Sequence, residues 1–183
     1  VVALTSNRGL AGGYNSQLLR LVTKQLDATT EIITVGRKGL AYIRRFHTNS
    51  LLADFPASDS TPRSAEAEPI AKLLIDGFLS GAYRQVDVAY THFVSTLTQE
   101  ARLMQLLPIV PAVEDTRSVS HSPSDQAIHS ASGTDRVKEK VDVGELLIEP
   151  DPASVLAALA SRIIPLRLYQ AMLESSASEH SAR

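Results

Sequence analysis

Val1-Val2-Ala3-Leu4-Thr5-Ser6-Asn7-Arg8-Gly9-Leu10-Ala11-Gly12-Gly13-Tyr14-Asn15 decides the fold. The first five residues form a short, unbroken apolar run, the pattern of a strand buried on both faces of a parallel sheet. A glycine-rich turn follows. Beyond it Tyr14, Leu18, Leu21, Val22 and Gln25-Leu26 recur at helical spacing. Strand, glycine turn and helix in that order predict the opening unit of an α/β fold.

The same alternation continues outward. Ile32-Ile33-Thr34-Val35 reads as a second buried strand, closed by Gly36. Gly39 to Phe46 reads as a short helix with Leu40, Ile43 and Phe46 on one side, and Ser50 to Phe55 as a third strand. Pro56 to Ala65 reads as a loop, with Ser64 as N-cap of a helix that turns Ile70, Leu73, Leu74 and Phe78 inward and stops at Gly81. Val86 to Phe93 alternates like a strand. Glu100 to Pro108 is expected to pair with it across Ser95–Thr98. The expected fold is α/β, a Rossmann-like mixed or parallel sheet flanked by helices.

From Pro111 to Lys140 the residues are Ser, Asp, His, Thr and Lys with few large apolar side chains, which predicts a mobile loop. Val141 to Glu149 returns to a strand-like pattern. Asp151-Pro152 then starts a helix, Asp at the N-cap and Pro at the first helical position. Along it runs a stripe of Leu156, Leu159, Ile163, Leu166, Gln170, Leu173, Ala177 and His180. Steps of three and four are those of a coiled-coil seam. A fully helical Pro152–Arg183 would be ~48 Å long, against a radius of gyration of ~16 Å for a compact chain of this size. The helix is therefore expected to project. Its first half should lie on the sheet and its second half should need a partner helix. Pro165 is expected to bend or break it near Ser161–Pro165. The division is residues 1–150 for the α/β domain, with 111–140 as the loop, and 151–183 for the helix.

Composition narrows the function. The 183 residues are 44% apolar and 21% charged, with 18 basic and 20 acidic side chains for a net −2. Such a balance argues against nucleic-acid binding. No apolar run approaches the ~18 residues that span a bilayer, and no signal-peptide pattern is present. The absence of cysteine excludes disulfides, thiolate catalysis and cysteine-bound metals. The chain begins at Val1 inside a strand-like run, which suggests a piece of something longer.

The Gly9–Gly13 turn sits where phosphate-binding turns sit. A nucleotide-binding, doubly wound enzyme is the alternative it raises. The spacing is GxxGG rather than GxGxxG. The second strand ends in Val35-Gly36-Arg37-Lys38 with no acid for a ribose, and no Gly-Lys pair exists for a Walker loop. Close backbone packing in a tight turn, which only glycine allows, is the favoured reading of these glycines. His47, His92, His121, His129 and His180 show no i, i+3 or i+4 pairing, so a metal site has no support. There is no G-x-S-x-G elbow. Arg37-Lys38 and Arg44-Arg45 suit an acidic partner or simply a solvated surface. No catalytic, cofactor-binding or metal-binding residue emerges.

Two long stretches resemble one family. Leu4 through Asn15 resembles the conserved turn of the gamma subunit of F-type ATP synthases. Glu149-Pro150-Asp151-Pro152, with Leu173-Glu174-Ser175 and Ala177-Ser178-Glu179-His180-Ser181-Ala182-Arg183, looks like that subunit's C-terminal helix. Val35-Gly36-Arg37-Lys38-Gly39 and Leu106-Leu107-Pro108 fall in the same order. Only Pro111–Lys140 matches nothing. Two departures occur. Ala11 stands where the family often has Cys, and Leu146 and Ile148 stand where it often has aromatic residues.

The resemblance implies a non-catalytic rotor domain without cofactors. The family's gamma subunit is the central-stalk shaft of a proton-translocating enzyme. It couples rotation of the membrane ring to ATP synthesis or hydrolysis on other subunits. Its expected partners are the epsilon subunit, the alpha and beta subunits of the catalytic ring, and the membrane rotor ring. It would be a peripheral membrane protein on the cytoplasmic face of a bacterial energy-transducing membrane. By the same resemblance Leu146, Ile148 and Glu149 would face the rotor ring. The coiled-coil stripe would run through Leu166, Leu173, Ala177 and His180. A helix before Val1 and more helix after Arg183 would be missing.

Overall fold

The computed structural model describes residues 1–109 and 152–183, with backbone alone for 152–158 and 160. In chain order the elements are β1 (Val2–Leu4), α1 (Tyr14–Lys24), β2 (Ile32–Val35), α2 (Arg37–Phe46), β3 (Leu51–Phe55), α3 (Ser64–Leu79), β4 (Val86–Phe93), β5 (Gln99–Leu107) and α4 (Pro152–Ala182). The strands form one sheet in the order β3-β2-β1-β4-β5. The first four run parallel, and β5 returns antiparallel to β4, from Phe93 opposite Gln99 to Val86 opposite Leu107. This is the expected mixed α/β sheet. Val141–Glu149, the Pro111–Lys140 loop and the Asp151 cap lie outside the described residues.

Both faces of the sheet are covered, which is why β1 and β2 carry apolar residues at nearly every position. Crossovers of one hand to either side of β1 place their helices on opposite faces. On one face Leu18 and Val22 of α1 and Ile43 of α2 pack with Ala3, Ile32 and Ala89. On the other, Ile70, Ala71 and Leu74 of α3 pack with Val2, Leu4, Ile33, Val35, Val86 and Val88. Ile164, Leu168, Ala171 and Met172 of α4 complete that second core.

Four local expectations differ. Phe46 is 58% exposed, because α2 ends there and its ring lies against Tyr42 and beneath the Arg45 guanidinium. Ser64 is the first helical residue of α3 rather than its cap. The cap is Arg63, whose backbone N–H donates to the Glu66 carboxylate at 3.3 Å. α4 runs unbroken through Pro165. The second half of α4 also differs: from Ile164 onward the helix lies on its own domain.

Candidate functional site

The Ser6–Gly13 turn is closed by its own side chains. Asn15 in the first turn of α1 folds back, its Oδ1 accepting the Ser6 N–H at 3.1 Å and its Nδ2 donating to Ser6 Oγ at 2.8 Å. Ser6 Oγ also donates to the Arg8 carbonyl at 2.7 Å. Asn7 reaches outward, donating to the Ala57 carbonyl and to the Asp59 carboxylate, both at 2.8 Å, while its Oδ1 accepts the Arg37 N–H at 3.3 Å. The Asn7 hydrogen bond, with help from Arg8, holds the Asp59 carboxyl below the usual carboxylate range. The polar side chains of the turn, Ser6, Asn7 and Asn15, are thus engaged within the chain.

The second glycine pair answers to Thr5. Its hydroxyl donates to the Val35 carbonyl at 2.9 Å and accepts the Gly39 N–H at 2.9 Å. That caps the start of α2 in place of a side chain at Gly36. Gly36 has φ +98°, and a Cβ there would lie 2.2 Å from the Thr5 carbonyl oxygen. Val35-Gly36-Arg37-Lys38-Gly39 is therefore the mate of Thr5, and its glycines serve close packing.

In open α/β sheets, ligands bind beyond the carboxyl ends of the strands, where the strand order reverses. Here that point lies between β1 and β4. β1 pairs with β4 only through Val2 opposite Val88 and Ala3 opposite Ala89, so the edge of β4 is free beyond Ala89. α4 takes it. The Thr91 N–H donates to Ser175 Oγ at 3.2 Å, and the Thr91 carbonyl accepts from Ser178 Oγ at 3.0 Å. Next to this, His92 Nδ1 and a Glu174 carboxylate oxygen share a 2.5 Å hydrogen bond. Ser181 Oγ donates to the Thr96 carbonyl at 2.7 Å in the β4–β5 turn. A cavity of about 30 Å³ remains, lined by Leu4, Thr5, Tyr14, Ser175 and Glu179 among others. That is room for a water molecule or two, not for a nucleotide. The nucleotide-binding alternative is not favoured.

Tyr14 closes the floor of this plug, 6% exposed, its hydroxyl among Ser175, Thr91 and Glu179. Burial pushes its pKa from 10 up to about 12. The Glu179 charge adds to the rise, and the neighbouring Ser175 and Thr91 hydroxyls oppose it. The folded chain thus holds a proton that the unfolded chain releases near pH 10. Tyr14 favours folding below pH 10, and that contribution falls as pH rises toward 12, by about 2 kcal/mol. Urea unfolding between pH 9 and 12 should show this decline in the natural sequence and a shallower one in Tyr14→Phe. Identical slopes would refute it.

A larger cleft of about 680 Å³ lies at the opposite end of the strands, among Asp27, Glu31, Tyr83, Arg84 and Asp87. Burial, then the Glu31 charge, raises the Tyr83 pKa. No helix start or glycine turn opens onto this cleft. Among the described residues no group of three His, Asp or Glu could hold a metal. No helix there is long and apolar enough to cross a membrane.

The structure places the stripe residues together on α4, turned away from the domain core. Leu166 is 63% exposed, Ala177 and His180 are exposed, and Leu173 is half-buried. Leu146, Ile148 and Glu149 lie outside the described residues. Sequence reasoning missed the opposite face: Ser175, Ser178 and Ser181, the Glu174–His92 pair, and the Thr5 clamp. The signal was a serine every third position, readable as a face of short hydroxyl side chains.

Comparison with known proteins fits this architecture. A family model described as ATP synthase matches residues 1–183. The ATP synthase gamma chain of Opitutus terrae is 33% identical over 183 residues, 100% of this chain and 58% of that one. That of Moorella thermoacetica is 32% identical over 185 residues, 100% of this chain and 56% of its own length. The chain thus spans little more than half the length of these relatives. Among solved structures, the central stalk/c-ring of Tetrahymena thermophila mitochondrial ATP synthase superposes with a TM-score of 0.68 at 21% identity, covering 99% of this chain and 70% of that one. The rotor of the Euglena gracilis enzyme gives 0.64 at 18%, covering 99% and 62%. At those identities the superpositions establish the fold. Matched along its whole length, the chain belongs to the family of ATP synthase gamma chains.

Proposed function

We propose that the chain is the α/β domain and C-terminal helix of the central-stalk rotor of a proton-translocating F-type ATP synthase. In this reading it couples rotation of a membrane ring to ATP synthesis or hydrolysis on the catalytic subunits, and has no active site of its own. Residues 1–150 act as the domain and residues 151–183 as shaft helix. The observation that carries the reading is the two-faced α4. One face is buried in the domain, while Leu159 and Leu166 stay 46% and 63% exposed on the other. A helix with apolar residues left in water invites a second helix. Membership of the gamma-chain family supplies the kind of machine.

The proposed partners are the epsilon subunit, the alpha and beta subunits and the membrane ring, the last touched through Leu146, Ile148 and Glu149. The chain would thus sit at the cytoplasmic face of a bacterial membrane, held there by protein contacts. Titration calorimetry with the epsilon subunit of the same enzyme should give saturable binding, and the purified chain should not hydrolyse ATP. Robust hydrolysis by the chain alone, or saturable thermal stabilisation by ATP or NAD, would overturn the reading in favour of a nucleotide-dependent enzyme.

A further inference from the structure

The two halves of the contact between α4 and the domain differ in kind. Ile164, Leu168, Ala171 and Met172 are buried apolar residues and pack into the core shared with α3. Apolar contact is non-directional, so this surface alone fixes the angle of the helix about its axis less sharply than hydrogen bonds do. From Glu174 onward the buried residues of α4 are Ser175 and Ser178, and the attachment becomes polar. Ser175 accepts the Thr91 N–H and Ser178 donates to the Thr91 carbonyl, so both polar groups of one peptide unit's residue are held from a single helix face. Glu174, adjacent, holds His92 at 2.5 Å. Serine is short, so these bonds form only at close approach and at one rotation. Each residue advances about 100° around the helix, and a one-residue slip breaks all three contacts at once.

We propose that Glu174, Ser175 and Ser178 are positioning residues that lock the rotational register of α4 on the sheet, and that torque between helix and domain passes through this seam. The proposal rests on the rotor reading above. Twisting the shaft loads directional bonds to the β4 backbone, while the apolar half below holds the helix against the core. Losing a hydrogen bond changes an equilibrium by a factor of about five, so removing two should raise the population of slipped states by more than an order of magnitude.

The test uses the assembled ATP synthase in inverted membrane vesicles, with Ser175→Ala/Ser178→Ala and, separately, Glu174→Gln, which keeps the side-chain shape. ATP hydrolysis and ATP-driven proton pumping are measured on the same vesicles, and protection of the Thr91 amide by hydrogen exchange. Hydrolysis should persist, the pumping-to-hydrolysis ratio should fall several-fold, and Thr91 protection should drop in the double variant. An unchanged ratio with Thr91 unprotected overturns the proposal. Should the double variant fail to assemble, the ratio in Glu174→Gln decides: a fall supports the lock, an unchanged ratio refutes it. Failure of the natural sequence to pump at all overturns the rotor reading instead.

Discussion

Gly36→Ala should destabilise the chain by about 4 kcal/mol, because two penalties meet at one Cβ. The backbone has φ +98° and ψ +148°, a region that essentially only glycine occupies. The new methyl would also lie 2.2 Å from the Thr5 carbonyl oxygen, which is backbone of the strand end and cannot swing aside. Thr5 is held there by its own N–H on the Val35 carbonyl at 2.8 Å, and Gly36 by its N–H on the Phe55 carbonyl at 3.1 Å. Relief therefore means moving β1, β2 or β3. At about 2–4 °C per kcal/mol for a chain of this size, the melting temperature should fall by roughly 10 °C. Gly39→Ala provides an internal control. Its Cβ would meet side-chain atoms of Thr5, Oγ1 at 2.7 Å and Cγ2 at 2.8 Å. Thr5→Ala should therefore partly rescue Gly39→Ala and leave Gly36→Ala unrescued. Urea midpoints of the four variants check this, and a Gly36→Ala midpoint near that of the natural sequence would refute the clamp.

Much of this was readable from residues alone. Ile32–Val35 and Val86–Phe93 are strands at the expected bounds because β-branched runs between turn residues leave little choice. The antiparallel return of β5 followed from the short Ser95–Thr98 connection. What escaped were contacts between distant segments. Nothing in Thr5 announces that it caps a helix starting 32 residues later. The face of α4 was misjudged for a related reason. Two stripes run along it, on largely opposite faces. Ile163, Leu166, Gln170, Leu173, Ala177 and His180 step by three and four, and so do Ile164, Leu168, Ala171, Ser175 and Ser178. Only the first keeps a large apolar residue as far as Leu173. The second ends in Ala and Ser, which read as polar surface until the β4 edge is there to bond them. The break expected at Pro165 does not occur, since packing against both α3 and β4 holds the helix on either side of it.

Leu168→Ala and Leu166→Ala should have opposite consequences, although the two residues are two positions apart. Two positions on a helix are about 200° of rotation, so they point to opposite sides. Leu168 is fully buried in the core between the sheet and α3. Truncating it removes apolar surface and leaves a cavity, at a cost of about 2–5 kcal/mol to the isolated chain. Leu166, 63% exposed, has little to lose there, and its truncation should change stability by less than about 0.5 kcal/mol. In the assembled complex the ranking should shift. If the outer stripe meets a second helix, Leu166→Ala loosens that seam and lowers the amount of chain retained in the complex after a salt wash. Leu168→Ala acts there only as far as it unfolds the domain. Urea unfolding of the isolated chain and immunoblots of washed membranes measure the two effects separately. A Leu166→Ala chain retained as well as the natural one would remove the main support for a partner helix on that face. The exposure of Leu159 would then have to be explained by some other contact. A Leu168→Ala chain as stable as the natural one would mean that α4 does not belong to the domain's core, and with it would go the footing for the polar seam above Met172.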